Sequence, residues 1–179
     1  MPYVEGFTVH DADAHVMELP GEIDRYVDPG LRAAFSEAIR KPNDLTGWAD
    51  KARAQQDDPD FRAGDEAQLL LRKIDLALAG ARAHNRMMAD FCSVDRRLLA
   101  TGYVPLVDIE AAPAIAREAI ELGCRGLMVP SRCPPGHSPS HVGLDPLWAL
   151  IEEAGLPVLF HVGGEEKMNP AYFENGLPR

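Results

Sequence analysis

From residue 99 to residue 162 the chain alternates short apolar runs with amphipathic stretches, and nothing else in it constrains the fold as much. Residues 99–104, 126–129 and 156–162 are apolar runs of strand length. Between the first two, Asp108 can cap a helix with Pro113 in an early turn. Ala112, Ile115, Ala116, Ala119 and Ile120 then fall on one helical face, and Gly123 can end it. Between the second and third, Asp145 can cap a helix with Pro146 at its first position, Leu147, Leu150 and Ile151 inside and Gly155 at its end. Strand, helix, strand, helix, strand with short connections predicts parallel strands covered by helices. Runs with little polar alternation suit strands buried on both faces. No Gly-rich dinucleotide fingerprint follows the first strand, which favours a barrel over a doubly wound sheet.

The rest of the chain is less regular. Residues 7–12 read as a first short strand. Residues 18–64 are rich in Pro, Gly and charge, with turn signals at Pro42-Asn43-Asp44 and Asp58-Pro59-Asp60. This stretch is expected to run over the surface with one or two short helices, for example around residues 29–39. Residues 65–92 read as largely helical, with Leu69, Leu70, Ile74, Leu78, Met87, Met88 and Phe91 as core candidates. With 179 residues, 46% of them hydrophobic, the chain is long and apolar enough for one globular domain over residues 1–179. No apolar run approaches the roughly 20 residues a membrane helix needs, and the N-terminus lacks a secretory pattern. Cys92, Cys124 and Cys133 form no paired framework and suit a reducing cytoplasm. A net charge of −10 argues against nucleic acid or an anionic membrane as partner.

Chemistry concentrates at expected strand ends. Residues i and i+2 of a strand lie roughly 6.5 to 7 Å apart on one face, so Asp11, Asp13 and His15 share a side and His10 faces the other. Carboxylate oxygen and imidazole nitrogen both bind a divalent ion at about 2.0 to 2.2 Å. Asp13 and His15 can therefore converge on one ion, and His161, at the end of the third apolar run, is the natural ligand from another strand. Asp11, one pleat deeper, suits a bracing hydrogen bond. Glu18 follows the pair closely enough to reach the mouth. The loop SRCPPGHSPSHVG places Arg132 and His141 where an anionic substrate could be contacted. Its C-x3-H-x3-H spacing (Cys133, His137, His141) tempts a zinc reading, but the intervening prolines and serines give no helical face and a fourth ligand is lacking. Trp148 is expected in the core, and Gly163-Gly164 lets the backbone turn away after His161.

DADAHVMELP, MMADFCSVDRRLLATGYVPL, AIELGCRGLMVP and DPLWALIEEAGLPVLFHVGG together resemble amidohydrolase-related barrels, the group that includes aminocarboxymuconate-semialdehyde decarboxylase and the dihydroxybenzoate and resorcylate decarboxylases. The resemblance covers residues 7–20 and about 84–164. It implies a (β/α)8 TIM-barrel fold and one divalent ion, zinc or alternatively manganese. Asp13, His15 and His161 match three of the family's ligand positions. Asn85 also falls at a position common in the family, with helix packing or a polar bridge to a loop as its expected role. Two departures stand out. A further strand rich in Val and Leu is expected before Asn85, where the sequence reads as helix. A catalytic His and a ligating Asp are expected beyond residue 179. Barrels of this kind take about 250 residues, so the chain is expected to cover a partial barrel. The implied activity is metal-dependent hydrolysis or non-oxidative decarboxylation of a small carboxylic acid or carbonyl compound. The rival expectation is a non-catalytic half-barrel that binds a ligand or self-associates through open strand edges. Either reading makes a homo-oligomer the expected assembly.

Overall fold

The structure is a computed structural model that describes residues 11, 21–40, 65–131, 137–161 and 176. The expected strand at residues 7–12 and the turns at 42–44 and 58–60 lie outside the described residues, apart from Asp11.

The block beginning near residue 100 folds as its pattern predicts. Strands β1 (Thr101–Tyr103), β2 (Gly126–Pro130) and β3 (Val158–His161) form one parallel sheet in the order β1-β2-β3. Tyr103 pairs with Met128, Leu127 with Val158, and Pro130 with His161. Helices α3 (Ala112–Glu121) and α4 (Asp145–Glu153) make the two crossovers. Gly123 and Gly155 follow them at φ +90° and +65°, the left-handed turn that releases a helix without a Cβ clash.

Burial divides the sheet into two faces. Leu127 and Val129 are buried with Ile115, Ala116, Ala119, Leu144, Leu147 and Ile151 beneath α3 and α4. A Cβ on Gly102 would lie 2.8 Å from that of Ala119, so the helix layer meets β1 at this glycine. Strand alternation then puts Tyr103, Met128, Pro130, Leu159 and His161 on the other face. Trp148 packs against the core from a half-buried position.

Upstream, α2 (Asp65–Cys92) is one long helix, as its apolar periodicity predicts. Ile74, Leu78, Ala81, Asn85, Met88 and Cys92 recur at alternating spacings of four and three residues, the stripe that keeps to one side of a helix. All except Asn85 join the main core as apolar members. Over Asp65–Cys92, where the sequence reads as helix, the described residues before Asn85 form no strand.

A second, smaller core holds the segment before α2. Val27 and Phe35, the latter on α1 (Arg32–Arg40), pack with Ala83, flanked by Ile23, Tyr26, Leu31 and Leu76. A Cβ on Gly80 would come within 2.9 Å of the Phe35 ring, so a bare backbone there admits the ring close to α2. Polar bonds reinforce the seam. Arg86 donates to the Tyr26 carbonyl at 2.9 Å and to Asp28 at 2.7 Å, and the Tyr26 hydroxyl donates to Asp90. Residues 21–40 are thus anchored on α2, a tie that the expected surface excursion did not include.

Local expectations need four corrections. Phe91 is 47% exposed and Leu99 66% exposed, so the core stops short of the bend between α2 and β1. Asp108 lies a turn ahead of α3, where its carboxylate accepts from the N–H groups of Glu110 and Ala111 at 2.9 and 3.0 Å. Asp145 is the first residue of α4 and makes no side-chain cap. A 3-10 turn over Val142–Leu144 precedes it, and the capping acceptor there is the His141 ring. Among the described residues no helix is long and apolar enough to cross a membrane.

Candidate metal centre

Parallel strands send all their carboxyl ends to one edge of the sheet, and the loops that leave there meet in space. In this chain that edge comprises the residues after Tyr103, Ser131 after β2, and His161 itself. His161 is the last described residue of β3 and is exposed. The Ser131 hydroxyl donates to the His161 carbonyl at 2.7 Å. That bond crosses from the end of β2 to the end of β3 and fixes the backbone from which the imidazole projects. Nothing in the sequence around Ser131 signals it, because the pairing depends on register.

The loop after β2 is tied to the loop after β1. His137 is buried, with Nε2 3.1 Å from the Leu106 carbonyl oxygen and Nδ1 2.8 Å from that of Ser138. Ser138 and Ser140 share a hydroxyl contact at 2.8 Å, and the Ser140 N–H donates to the Ser138 hydroxyl, which tightens the turn leading to His141. His141 Nδ1 accepts from the Gly143 N–H at 3.0 Å. With Nδ1 accepting, the proton of the neutral ring sits on Nε2. The two imidazoles meet edge to face at 5.5 Å between centroids, and His141 packs against Gly176. These rings thus serve the loop's own architecture. The C-x3-H-x3-H spacing is explained at its two histidines by a tether and a cap; Cys133 lies outside the described residues.

Beneath the edge the side chains are buried or partly buried. Burial raises the Tyr103 phenol above its ordinary range. It also raises the Cys124 thiol, with a smaller contribution from neighbouring Cys92, and the Cys92 thiol itself. Asn85, 2% exposed, spans the Tyr103 backbone: its Nδ2 donates to the carbonyl at 3.0 Å, and its Oδ1 accepts from the N–H at 2.6 Å. The expected polar bridge is present, but it runs to a strand and not to a loop.

Of the residues singled out in the sequence, His161 stands at a strand's carboxyl end and His141 caps the 3-10 turn before α4. Asp11 is exposed. Asp13, His15, Glu18 and Arg132 lie outside the described residues. Among the described residues no group of three or more His, Cys, Asp or Glu side chains could hold a metal ion. His161 is accordingly the one expected ligand whose position is described, and its nitrogen donor suits zinc and other borderline divalent ions.

No curated protein and no solved structure matches this chain. The family model described as amidohydrolase matches residues 11–175, a span that takes in the early Asp-x-His pair, the parallel block and His161. Members of that family are typically (β/α) barrels and generally hold a divalent metal ion; the described residues of this chain form a small parallel sheet with helical crossovers, consistent with a partial α/β fold. On the strength of that match over nearly its whole length, the chain belongs to the amidohydrolase family.

Proposed function

We propose that the chain is a metal-dependent hydrolase or non-oxidative decarboxylase acting on a small carboxylic acid or carbonyl compound, on the pattern of aminocarboxymuconate-semialdehyde decarboxylase. Asp13, His15 and His161 hold one divalent ion, zinc or alternatively manganese, at the carboxyl edge of a partial (β/α) barrel. The single observation that carries the reading is the place of His161. It ends a parallel strand, on the sheet face away from the helices, inside the span matched by the family.

A bound ion in such a site supplies a Lewis acid and an acidified water. The chain's own residues do the remaining work. Asp13 and His15 bind from one strand and His161 from another, so the site forms only when the tertiary fold brings distant segments together. Ser131 orients the His161 backbone. Glu18, Arg132 and His141 are the proposed substrate contacts: Arg132 for a carboxylate, and the His141 Nε2–H as a neutral donor.

Metal analysis of the whole protein tests this directly. About one zinc or manganese ion per chain is expected. His161→Ala should weaken retention by more than about 100-fold, beyond what loss of an outer-shell partner costs, while circular dichroism stays near that of the parent. A variant that keeps its ion and its turnover would remove His161 from the site. Candidate acids assayed in 18O-labelled water separate the two routes. Carbon dioxide release without label in the product marks decarboxylation, and label in the product marks hydrolysis.

A further inference from the structure

A parallel strand directs alternate residues' backbone groups to its two sides. On β1 the side facing β2 is fixed by two bonds: the Ala100 carbonyl accepts from the Arg125 N–H at 2.8 Å, and the Val104 N–H donates to the Met128 carbonyl at 2.9 Å. Tyr103 therefore turns its N–H and C=O the other way, toward the side of β1 on which no strand lies among the described residues. An amide side chain offers one donor and one acceptor in the same plane, as a peptide does. Asn85 presents both to Tyr103, at 3.0 and 2.6 Å, from a fully buried position. It arrives there because residues 78, 81, 85 and 88 share the face of α2 that meets β1.

We infer that Asn85 acts as a stop on the sheet: its side chain occupies the ladder position of a neighbouring strand and closes β1 to strand addition by a second copy of this chain. An unpaired edge is a template for such pairing, and a buried polar side chain that merely filled space would not need to match both groups of one residue. The opposite edge differs. No such amide is described beside β3, and Phe160 there is 58% exposed. The inference stands whether or not the chain holds a metal.

Residue-resolved hydrogen exchange and sedimentation velocity, both on the whole protein, test it. In the wild type the Tyr103 amide should be protected about as well as that of Val104; exchange at the rate of an open loop would overturn the inference without any variant. Asn85→Ala should accelerate exchange at Tyr103 about tenfold or more relative to Val104, the loss expected for one buried backbone bond. It should also add a concentration-dependent larger species that the wild type lacks. Wild-type sedimentation in a folded Asn85→Ala would overturn the stop. Where alanine does not fold, Asn85→Asp keeps the acceptor for the Tyr103 N–H and loses the donor to its carbonyl. Tyr103 protection and self-association changing together in this variant, or both staying as in the wild type, supports the inference; either one changing without the other overturns it.

Discussion

The two cores of this molecule are held by different means. The larger one, between the sheet and α2, α3 and α4, is a layer of aliphatic side chains, many of them fully buried. The smaller, where residues 21–40 meet α2, has Val27, Phe35 and Ala83 as its buried members among the described residues. Around it run bonds between residues about 60 positions apart, from Arg86 to Tyr26 and Asp28 and from Tyr26 to Asp90. The contrast shows which part depends on apolar area and which on polar geometry. Area is insensitive to small shifts, whereas a charge-assisted bond is lost when its partners separate. The smaller unit should therefore open first, with the sheet and its helices intact.

Removing area from the large core has the largest expected effect. Leu127 is completely buried beneath both crossover helices. Leu127→Ala should destabilise the chain by about 2–5 kcal/mol, as truncating a core leucine does. Urea denaturation should show the whole signal moving to lower concentration. A loss below about 1 kcal/mol would mean that the site collapses freely and that the large core is not closely packed.

Arg86→Met probes the other region with a change of intermediate size. It keeps much of the aliphatic stem and removes the bonds to Tyr26 and Asp28, whose side chain is 44% exposed in the pair. Solvent screening limits the expected loss to about 1 kcal/mol. Hydrogen exchange should quicken at residues 23–36 and stay unchanged at 101–104 and 126–130. Equal quickening in both would break the comparison and make the two cores one cooperative unit.

The smallest effect is expected in the bend between α2 and β1. Asp95 accepts from the Arg97 backbone N–H at 2.9 Å and from its guanidinium at 2.7 to 3.2 Å. The Arg97 side chain, followed by its backbone N–H, lowers the carboxyl from an ordinary 3.8 to about 2. A pKa depressed by folding contributes stability that is fully present above the unfolded value near 3.8 and is lost as pH falls through about 2. Carboxyl carbon shifts of Asp95 followed by NMR should titrate with a midpoint near 2, and a midpoint near 4 would show the bend open in solution. Asp95→Asn should lower stability at neutral pH slightly, because the pair is exposed and screened, and should flatten its fall between pH 4 and 2 by the same small amount.

Legibility followed the same division. α2, both crossover helices and all three strands were readable because their apolar residues recur at helix or strand spacing. The ends were less readable. Pro146 sits at the start of α4 as expected, yet α4 has no side-chain cap; the His141 ring caps the 3-10 turn ahead of it. Phe91 continued the helical stripe in sequence and is exposed in space, because the chain turns away from the core just after Cys92. At the candidate site, His161 was legible as a polar residue ending an apolar strand. The tether made by His137 was not, since its partner Leu106 O belongs to a different loop 31 residues earlier.

Composition and periodicity by themselves determined that this chain would build parallel strands with helical crossovers, because burying apolar faces leaves few other arrangements. The early Asp-x-His pair and a histidine at a strand's end were written there too. Tertiary structure alone decided that the Asn85 amide would lie along Tyr103, that Phe35 would rest on a glycine of α2, and that Arg86 would hold a carbonyl 60 residues away. Such contacts are set by the distance and direction between groups far apart in sequence, and no spacing along the chain encodes those.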